Sequence, residues 1–416
     1  MSIVRPFKGI KPKKELVDQV ASLPYDVMNR EEAKSLAEGN EYSFLHVVRS
    51  EIDLDDSVSP YDKKVYRQAR KNLDQMIEDE ILVQDDKPMF YIYRQIMNGR
   101  VQTGLVGATS IDDYLNNVIK KHEYTRPKKE VDRINNFDYC DANTAPIFLT
   151  YRKNDEINTI VNDWIKFHMP IYDFKSEDGI THIVWELSDD SLVDRINKIF
   201  DNEVDSLYIA DGHHRSASSV KVGLKRREEN PNFTGDEEYN YFMSVMFPDE
   251  DLFIMDYNRV VHTLNGLSFE DFMSKVEENF NVGKIESEKP FRPTKKHTFG
   301  MYIENNWYEL EAKEGIFNDQ DPVDRLDVAI LQNNILDPLL GIEDPRTSDN
   351  IDFVGGIRGL TELEERVDQG KKVAFSMYPT TMDDLLAIAD AGKVMPPKST
   401  WFEPKLRSGL FVHRLT

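Results

Sequence analysis

The sequence predicts a mixed α/β fold, of the α/β or α+β kind, because strand-like and helix-like segments succeed one another along all 416 residues. Residues 61–78 space their apolar side chains as a helix does. Residues 89–97 and 100–108 read as two strands around Asn98-Gly99, a pair that suits a type I′ hairpin turn. No repeat or low-complexity segment interrupts the pattern.

The remaining elements are predicted in chain order from the same spacing and turn signals. They are a helix from Ser110, a strand at 146–151, a helix at 158–168, a strand at 183–187, a helix at 191–200, a strand pair at 239–247 and 252–261, a helix at 268–280, a charged loop at 286–296 and a hairpin turning at Asn305-Asn306. The pattern changes after Leu264-Asn265-Gly266. We therefore predict a first domain at 1–265 and a C-terminal α/β lobe at 266–416.

Composition narrows the class of protein. Hydrophobic residues make up 40% of the chain, enough for well-filled cores, and the net charge is -23. That charge repels nucleic-acid backbone and acidic membranes, so neither is expected as a partner. Cys140 is the single cysteine, and neither a signal peptide nor a membrane-spanning run is found. The sequence predicts a soluble cytoplasmic protein and leaves its oligomeric state open.

One turn has the pattern of a phosphate site. Leu207 and Ile209 alternate as in a buried strand, and later apolar residues have helical spacing, which puts Gly212 to Arg215 at a helix N-terminus. Backbone N–H groups, the helix dipole and a guanidinium all favour phosphate there, with the acid Asp211 beside them. An ordinary capped turn uses the same residue types, so that interpretation stays open.

Other nucleotide and metal signatures are missing from the sequence. There is no Gly-x-x-x-x-Gly-Lys-Ser/Thr loop and no Rossmann glycine fingerprint. Gly355-Gly356 is typical of a plain turn. His213 and His214 are adjacent and point in different directions, and no further Cys or His follows at ligand spacing, so zinc is not expected.

Asp211-Gly212-His213-His214-Arg215 resembles the phosphate-binding turn of the ParB/sulfiredoxin-like fold, in the version carried by free L-serine kinases. Further segments resemble blocks of a long family, formerly of unknown function, that is related to those kinases. These segments are Pro6-Phe7-Lys8-Gly9-Ile10, Leu23-Pro24-Tyr25-Asp26-Val27, Phe44-Leu45-His46-Val47, Lys121-His122-Glu123-Tyr124-Thr125-Arg126 and Met395-Pro396-Pro397-Lys398-Ser399-Thr400. Because the blocks run from end to end, the chain is identified as a member of that family. Sulfiredoxin activity is not implied, since His213 stands where a cysteine is required.

The resemblance implies a ParB/sulfiredoxin-like nucleotide-binding core in residues 1–265. The residues expected to bind phosphate or nucleotide are Gly212, His213, His214, Arg215, Ser216, Lys121, His122 and Arg126. His122-Glu123 aligns with a His-Glu pair of the kinases, which makes Glu123 the expected catalytic base. Asp211 is expected to bind Mg²⁺ or to share the base role. Taken without the resemblance, the cations of residues 120–129 are typical of a solvated basic patch.

The resemblance also assigns residues 393–416 to the substrate side of the active cleft. Lys398, Ser399 and Thr400 are expected to hold the amino acid, with Lys405, Arg407 and Ser408 as weaker anion-binding candidates. The kinases have a histidine shortly after their matching threonine, whereas this chain has Phe402.

The function that follows is phosphorylation of free L-serine to O-phosphoserine, a reaction of serine metabolism and cysteine biosynthesis. ATP, ADP and pyrophosphate are all open as donors, because a phosphate-binding turn does not indicate how many phosphates the donor carries. Two alternatives remain. One is a non-catalytic nucleotide-binding sensor, which would not need Glu123. The other is a kinase of another small hydroxyl compound, which Phe402 keeps open.

Overall fold

The computed structural model describes residues 1–125, 127–287 and 289–416. By contacts the chain divides into two units, the first made of Met1–Leu252 with Pro404–Thr416 and the second of Phe253–Glu403. The sequence predicts a boundary near residue 265, whereas this division falls between Leu252 and Phe253. Both units contain sheets and helices, which confirms the mixed α/β class.

The first unit is built on a large mixed sheet. Its strands follow one another in the order Ile119–Lys120, Leu207–Asp211, Ile147–Tyr151, Tyr241–Pro248, Arg100–Ser110, Phe90–Met97, Thr181–Leu187 and Tyr172–Lys175, with Val4–Arg5 added beside Arg100–Ser110. Two neighbouring pairs are parallel, namely Leu207–Asp211 with Ile119–Lys120 and Tyr241–Pro248 with Ile147–Tyr151. Two short ladders join Ile10–Pro12 to Leu82–Gln84 and Ala142–Asn143 to His413–Arg414.

Some helices of the first unit pack against this sheet, and others pack against one another and the short ladders. The helices are Val17–Val20, Arg30–Ala37, Leu45–Val48, Lys63–Glu78, Ile111–Leu115, Pro127–Cys140, Asp155–Phe167, Asp190–Glu203 and His213–Glu229, with short 3₁₀ turns at Lys14–Leu16, Ser50–Asp53, Glu238–Asn240 and Asp249–Asp251. Apolar residues of the sheet and of four of these helices form one buried cluster, to which Ile111, Ile157, Ile196 and Val220 contribute. Burial of this apolar surface fixes the strand that leads into the candidate site.

The second unit has an antiparallel sheet. Its strands follow one another in the order Phe280–Lys284, Asn306–Ala312, Thr298–Ile303, Val373–Met377, Tyr257–Val261 and Ile351–Gly355. Ile254–Met255 pairs separately with Trp401–Phe402. The helices are Phe269–Asn279, Asp327–Leu331, Thr361–Asp368 and Met382–Asp390, with a π-helical segment at Gln332–Leu336 and a 3₁₀ turn at Gly356–Arg358.

Local sequence signals predicted several elements correctly. The hairpin forms between Phe90–Met97 and Arg100–Ser110, and Asn98 and Gly99 have φ of 52° and 79°, as a type I′ turn requires. The predicted helix at 61–78 is present as Lys63–Glu78, with the Asp62 side chain accepting from the Lys64 N–H. The later hairpin turns one residue earlier than expected, at Glu304 and Asn305.

The predicted pairing of residues 239–247 with 252–261 is wrong. Tyr241–Pro248 pairs with Arg100–Ser110 and Ile147–Tyr151 in the first unit. Tyr257–Val261 instead pairs with strands of the second unit. Closeness in sequence suggested a hairpin, but the contact boundary runs between the two segments and each strand finds distant partners. Within the described ranges, no helix is long and apolar enough to cross a membrane.

Candidate functional site

The candidate site of the first unit is built on a strand, a glycine turn and a helix. Leu207–Asp211 lies in the sheet, and its apolar residues are fully buried. Gly212 has φ of 98° and ψ of 30°, a left-handed conformation that glycine adopts without a steric penalty. The helix His213–Glu229 starts immediately after it. The predicted strand, turn and helix are therefore all present.

Among the residues that the structure describes, no side chain caps the start of this helix. Neighbouring long helices do have a side-chain cap, supplied by Asp62 for Lys63–Glu78 and by Asp189 for Asp190–Glu203. The first N–H groups of an α-helix have no partner within the helix, so a cap or a ligand normally satisfies them. An uncapped start behind a left-handed glycine has the chemistry of an anion site.

Asp211 stands at the edge of the turn, with its side chain 31% exposed. Its Oδ1 accepts a 2.8 Å hydrogen bond from the Gly212 N–H. Its Oδ2 lies 3.4 Å from Lys405 Nζ and 3.7 Å from Arg215 Nη2. Burial alone would raise the pKa of Asp211, but the positive charges of Lys405 and Arg215 outweigh it and lower the pKa. Asp211 is therefore a carboxylate at neutral pH.

Lys405 is the residue of this cluster that sequence reasoning undervalued. It belongs to Pro404–Thr416, which returns to the first unit. Its carbonyl accepts a 3.0 Å hydrogen bond from Gln95 Nε2, and Gln95 Oε1 accepts a 2.9 Å bond from Gln102 Nε2. A buried pair of glutamines thus fixes the backbone that carries the lysine. The only sequence signal for Lys405 was a basic residue in the last block. Residue spacing cannot reveal that its partner, Asp211, lies 194 positions away.

Two buried histidines pack together beside the turn. His122 and His213 are 2% and 5% exposed, and their rings meet edge to face with centroids 4.5 Å apart. His213 Nε2 accepts a long, 3.5 Å hydrogen bond from the His122 backbone N–H, so the proton of a neutral His213 sits on Nδ1. That Nδ1 faces Glu123 Oε2 at 3.9 Å.

Burial sets the charge of both histidines. It lowers the pKa of His122 to about 4 and, together with the neighbouring His122, lowers the pKa of His213 well below its ordinary value. Both rings are therefore neutral at pH 7, and the 3.9 Å approach of His213 to Glu123 is not an ion pair. Glu123 itself keeps 43% of its side chain exposed, which leaves it accessible to a substrate.

The ring of His122 has unsatisfied polar atoms. Within the described part of the chain, neither Nδ1 nor Nε2 has a hydrogen-bond partner, although both are buried. Such a group loses the hydrogen bonds that water gave it in the unfolded chain, at a cost of about 1–3 kcal/mol. Unpaired buried groups of this kind are rare in native proteins and mark places where a ligand or water completes the bonding.

Arg215 and Ser216 support the turn from within. The guanidinium of Arg215 is 3% exposed, and its Nη1 donates to the carbonyl of Pro146. A Cβ added at Gly212 would lie 3.0 Å from Arg215 Nε, so the guanidinium packs directly against the glycine. Ser216 Oγ donates to the Gly212 carbonyl at 3.1 Å. The sequence predicts both side chains as phosphate ligands, whereas Ser216 here bonds the turn and Arg215 bonds Pro146 and packs against Gly212.

The other predicted phosphate residues lie in different surroundings. Lys121 Nζ lies 3.9 Å from the centroid of the Tyr114 ring and donates to the Tyr114 carbonyl at 3.4 Å, and burial lowers its pKa. His214 is half-buried, and its carbonyl accepts a 2.7 Å hydrogen bond from Ser218 Oγ. Arg126 falls outside the described residues.

The three predicted substrate residues belong to the second unit. Lys398 has φ of 60°, and its carbonyl accepts a 3.0 Å hydrogen bond from Arg259 Nη2. Ser399 Oγ donates to the Pro396 carbonyl at 2.6 Å, and the Ser399 carbonyl accepts a 2.8 Å bond from Thr380 Oγ1. Thr400 is half-buried. The role of Lys398, Ser399 and Thr400 in substrate binding stays a prediction.

Arg407, a weaker anion-binding candidate, is engaged inside the first unit. It is 4% exposed and pairs with Asp178, while its Nη2 donates to Ser176 Oγ at 3.0 Å. Its Nε also approaches His182 Nε2 at 3.3 Å. These contacts join Pro404–Thr416 to the hairpin around Asp178. Across the residues that the structure describes, no group of three or more His, Cys, Asp or Glu side chains is arranged to hold a metal ion.

Comparison with solved structures gives distant similarities. A free serine kinase in complex with AMP is 12% identical, with 72% of this chain and 86% of that chain covered at a TM-score of 0.36. A conserved hypothetical protein from Pyrococcus furiosus is 13% identical over 76% of this chain and 98% of that chain, at a TM-score of 0.36. SbnI with a C-terminal truncation, from Staphylococcus aureus, is 10% identical over 74% and 87%, at 0.40.

At this level of similarity, only the residues of this chain can support a function. Among curated proteins, no match is found. The family model described as "Protein of unknown function (DUF1015)" matches residues 4–329, well over half of the sequence. The chain therefore belongs to the DUF1015 family.

Proposed function

We propose that this chain is a kinase that transfers a phosphoryl group from a nucleotide or pyrophosphate donor to the hydroxyl of free L-serine, giving O-phosphoserine. One observation carries the proposal: no side chain of the described residues caps the helix His213–Glu229, which starts behind left-handed Gly212 with the carboxylate of Asp211 at its edge. Phosphoryl transfer depends mainly on positioning the phosphates and stabilising their charge. A preformed anion site beside a carboxylate supplies both.

In this proposal the backbone binds the donor. The N–H groups at the start of the helix, from His213 to Arg215, face the donor phosphates, and Lys405 adds a positive charge beside Asp211. Arg215 acts as a positioning residue, because its buried guanidinium packs under Gly212 and bonds the Pro146 carbonyl. The unpaired ring nitrogens of His122 are suited to a phosphate oxygen or to the acceptor hydroxyl. Lys121 and Arg126 remain proposed as further residues that bind the donor phosphates.

Glu123 is the proposed catalytic base. Its carboxylate is partly exposed and lies 3.9 Å from the neutral Nδ1 of His213, which can orient it once the two approach to hydrogen-bond distance. The serine hydroxyl attacks the terminal phosphorus, its proton passes to Glu123, and the bond to the leaving phosphate breaks. Asp211 is less suited to this role, because Lys405 and Arg215 hold its pKa low.

Asp211 is instead the proposed protein ligand of Mg²⁺. The chemistry fits, since Mg²⁺ prefers oxygen ligands and is commonly bound through one or two carboxylates together with substrate phosphates. The ion would neutralise charge that develops on the donor phosphates. A single carboxylate ligand agrees with a metal that arrives with its donor, and the described residues form no ready-made cage.

The loop around Thr400 is the proposed binding site of the acceptor, serine. Arg259 is 3% exposed and donates to the Lys398 carbonyl, while Ser399 closes the loop through Pro396. These bonds hold the half-buried hydroxyl of Thr400 on an ordered loop. Phe402 is 2% exposed and therefore belongs to the packing of the second unit. A kinase of another small hydroxyl compound remains the second candidate, because a buried phenylalanine offers serine no hydrogen bond.

The deciding experiment uses the purified full chain with Mg²⁺, one donor at a time, ATP, ADP or pyrophosphate, and one acceptor at a time, free L-serine, threonine or glycerol. It measures O-phosphoserine or the corresponding phosphorylated product. Formation of phosphoserine with one donor supports the proposal and identifies that donor. Donor binding without product for serine, threonine or glycerol would instead favour the nucleotide sensor. Product only with another hydroxyl compound would keep the kinase and change its acceptor.

A further inference from the structure

The first unit contains a cavity of about 110 Å³ whose walls carry several ionisable side chains. It lies between the helix Pro127–Cys140 and the segment that runs from Tyr25 to Tyr66. Tyr25 and Asp26 come from the Leu-Pro-Tyr-Asp-Val block, to which the kinase proposal gives no role. As far as the chain is described, the cavity wall includes neither Glu123 nor any residue of the turn at Gly212.

The charges around this cavity balance one another, although the chain as a whole is strongly acidic. Three acids and three bases line it: Asp26, Glu51, Asp132, Arg49, Lys129 and Arg133. Arg133 Nη2 bonds Asp132 Oδ2 at 2.7 Å, and the Tyr66 hydroxyl donates to Asp132 Oδ1 at 2.9 Å. A polar cavity with equal numbers of both charges suits a ligand that itself carries both.

Two buried donors at the cavity form no hydrogen bond with any residue that the structure describes. They are the Tyr25 hydroxyl and the N–H of Arg49 Nε. Arg49 Nε forms an ion pair with Glu51 Oε1 at 2.9 Å but no hydrogen bond. Burial raises the pKa of Tyr25, so its hydroxyl keeps the proton that it can donate. Buried donors of this kind call for an acceptor such as a carboxylate oxygen.

We propose that this cavity binds a small α-amino acid, with its carboxylate at Tyr25 and Arg49 and its ammonium group beside Asp26 and Glu51. The size agrees, because a cavity of about 150 Å³ accepts benzene and one of 110 Å³ suits an amino acid with a very short side chain. The site does not depend on the kinase proposal, since binding is measured without a phosphoryl donor.

The test is titration calorimetry of the full chain with glycine, without nucleotide or pyrophosphate. Glycine should bind with measurable heat, and acetate and methylammonium, which each carry one of its two charges, should bind at least about tenfold more weakly. Tyr25→Phe removes one donor to a charged acceptor and should weaken glycine binding about tenfold. Tyr308→Phe deletes a tyrosine hydroxyl in the second unit and should leave the affinity unchanged.

Two results would overturn this site: no heat with glycine, or an unchanged glycine affinity in a folded Tyr25→Phe variant. Thermal unfolding and circular dichroism establish that the variant is folded. If Tyr25→Phe does not fold, Val65→Phe tests the same cavity by filling it, since Val65 is 5% exposed and lines it. Unchanged glycine binding by Val65→Phe would likewise contradict the proposal, whatever the kinase assay gives.

Discussion

Lys405 Nζ lies 3.4 Å from Asp211 Oδ2, although 194 positions separate the two residues in the sequence. The lysine side chain is 13% exposed and the aspartate 31%, so water screens their attraction only in part. This pair connects the C-terminal segment Pro404–Thr416 to the turn at Gly212. It also keeps Asp211 ionised, which matters for a residue proposed to bind Mg²⁺.

The first prediction removes the lysine. Lys405→Met should lower the free energy of unfolding at pH 7 by about 1–2 kcal/mol, because Asp211 loses a partner in a partly buried place. The pKa of Asp211 is depressed in the folded protein, so its stabilising effect is present above the unfolded value of about 3.9 and is lost as pH falls through the folded value. The difference between variant and wild type should therefore shrink below about pH 4.

The matched control for this variant is Lys393→Met. Lys393 Nζ pairs with Asp321 Oδ2 at 2.7 Å, but the two side chains are 43% and 33% exposed. An exposed pair of this kind contributes little to stability, because water screens it. Chemical denaturation at several pH values compares the two variants. An equal loss in both, or a loss in Lys405→Met that does not change with pH, would contradict the role given to Lys405.

The second prediction concerns Gly212. Gly212→Ala places a Cβ at φ of 98° and 3.0 Å from Arg215 Nε. The left-handed conformation alone costs about 1–2 kcal/mol for an L-residue, and displacement of the buried guanidinium adds to it. Donor affinity should fall as well, because the N–H groups of the turn move. Denaturation and donor titration measure the two effects.

Gly235→Ala separates strain from contact. Gly235 has a nearly identical φ of 99°, but an added Cβ there meets nothing within 4 Å. It should therefore lose only the cost of the left-handed backbone and keep its donor affinity. If both alanine variants lost the same stability and bound donor equally well, the packing of Arg215 against Gly212 would have no functional importance.

The third prediction separates chemistry from binding. Glu123→Gln keeps the shape of the side chain but loses its basicity, so turnover should fall by about 10²–10⁴-fold while the donor still binds. Glu277→Gln, the same change on an exposed helical position of the second unit, should have normal turnover. Steady-state assays with calorimetric donor titration measure both quantities. Near-normal turnover of Glu123→Gln would move the base role to another residue.

Local features of the fold could be predicted from the sequence, whereas most long-range contacts could not. Asn98-Gly99 and Asp211-Gly212 act through backbone conformations that neighbouring residues specify, so the hairpin and the strand–turn–helix were predictable. Strand partners of 239–261 depend on which distant surfaces bury them, and proximity in sequence pointed to the wrong pairing. The contact of Lys405 with Asp211 also joins distant parts of the sequence, so local patterns could not predict it.

The environment of Arg215 was hidden for a different reason. A cation in the first turn of a helix behind a phosphate-type glycine turn normally faces the anion. Here the Pro146 carbonyl and Asp211 draw the guanidinium inward, and the missing Cβ of Gly212 leaves room for it. Side-chain direction of this kind follows from packing, which residue identity alone does not define.

The fourth prediction uses the charge state of His122. Its pKa is about 4 in the folded protein and about 6.5 when unfolded, so the unfolded chain binds more protons between these values. Stability should therefore fall as pH drops from 6.5 to 4, by about 3 kcal/mol for this group. His122→Phe removes that contribution and also the unpaired ring nitrogens, so its free energy of unfolding at pH 8 should be equal to or above that of wild type.

Donor affinity should fall in His122→Phe, in contrast to stability, because the phenylalanine ring can no longer form a hydrogen bond with the donor. Thermal unfolding at pH 5 and pH 8, with and without donor, shows both effects in one experiment. His213 is also held neutral by burial, so part of the pH dependence should persist in the variant. A His122→Phe protein with the wild-type pH dependence and wild-type donor affinity would contradict both assignments.

The fifth prediction tests the acceptor loop of the second unit. Thr400→Val keeps the side-chain shape but removes a hydroxyl, which should raise the serine KM about tenfold, equivalent to about 1–1.5 kcal/mol, with donor affinity unchanged. Ser399→Ala is the matched comparison: Ser399 Oγ already donates to the Pro396 carbonyl at 2.6 Å, so its loss should lower stability more than it raises the serine KM. Kinetics at saturating donor and denaturation distinguish the two. An unchanged serine KM in Thr400→Val, or an equal loss toward serine and donor, would mean that the loop shapes the fold and that the acceptor binds elsewhere.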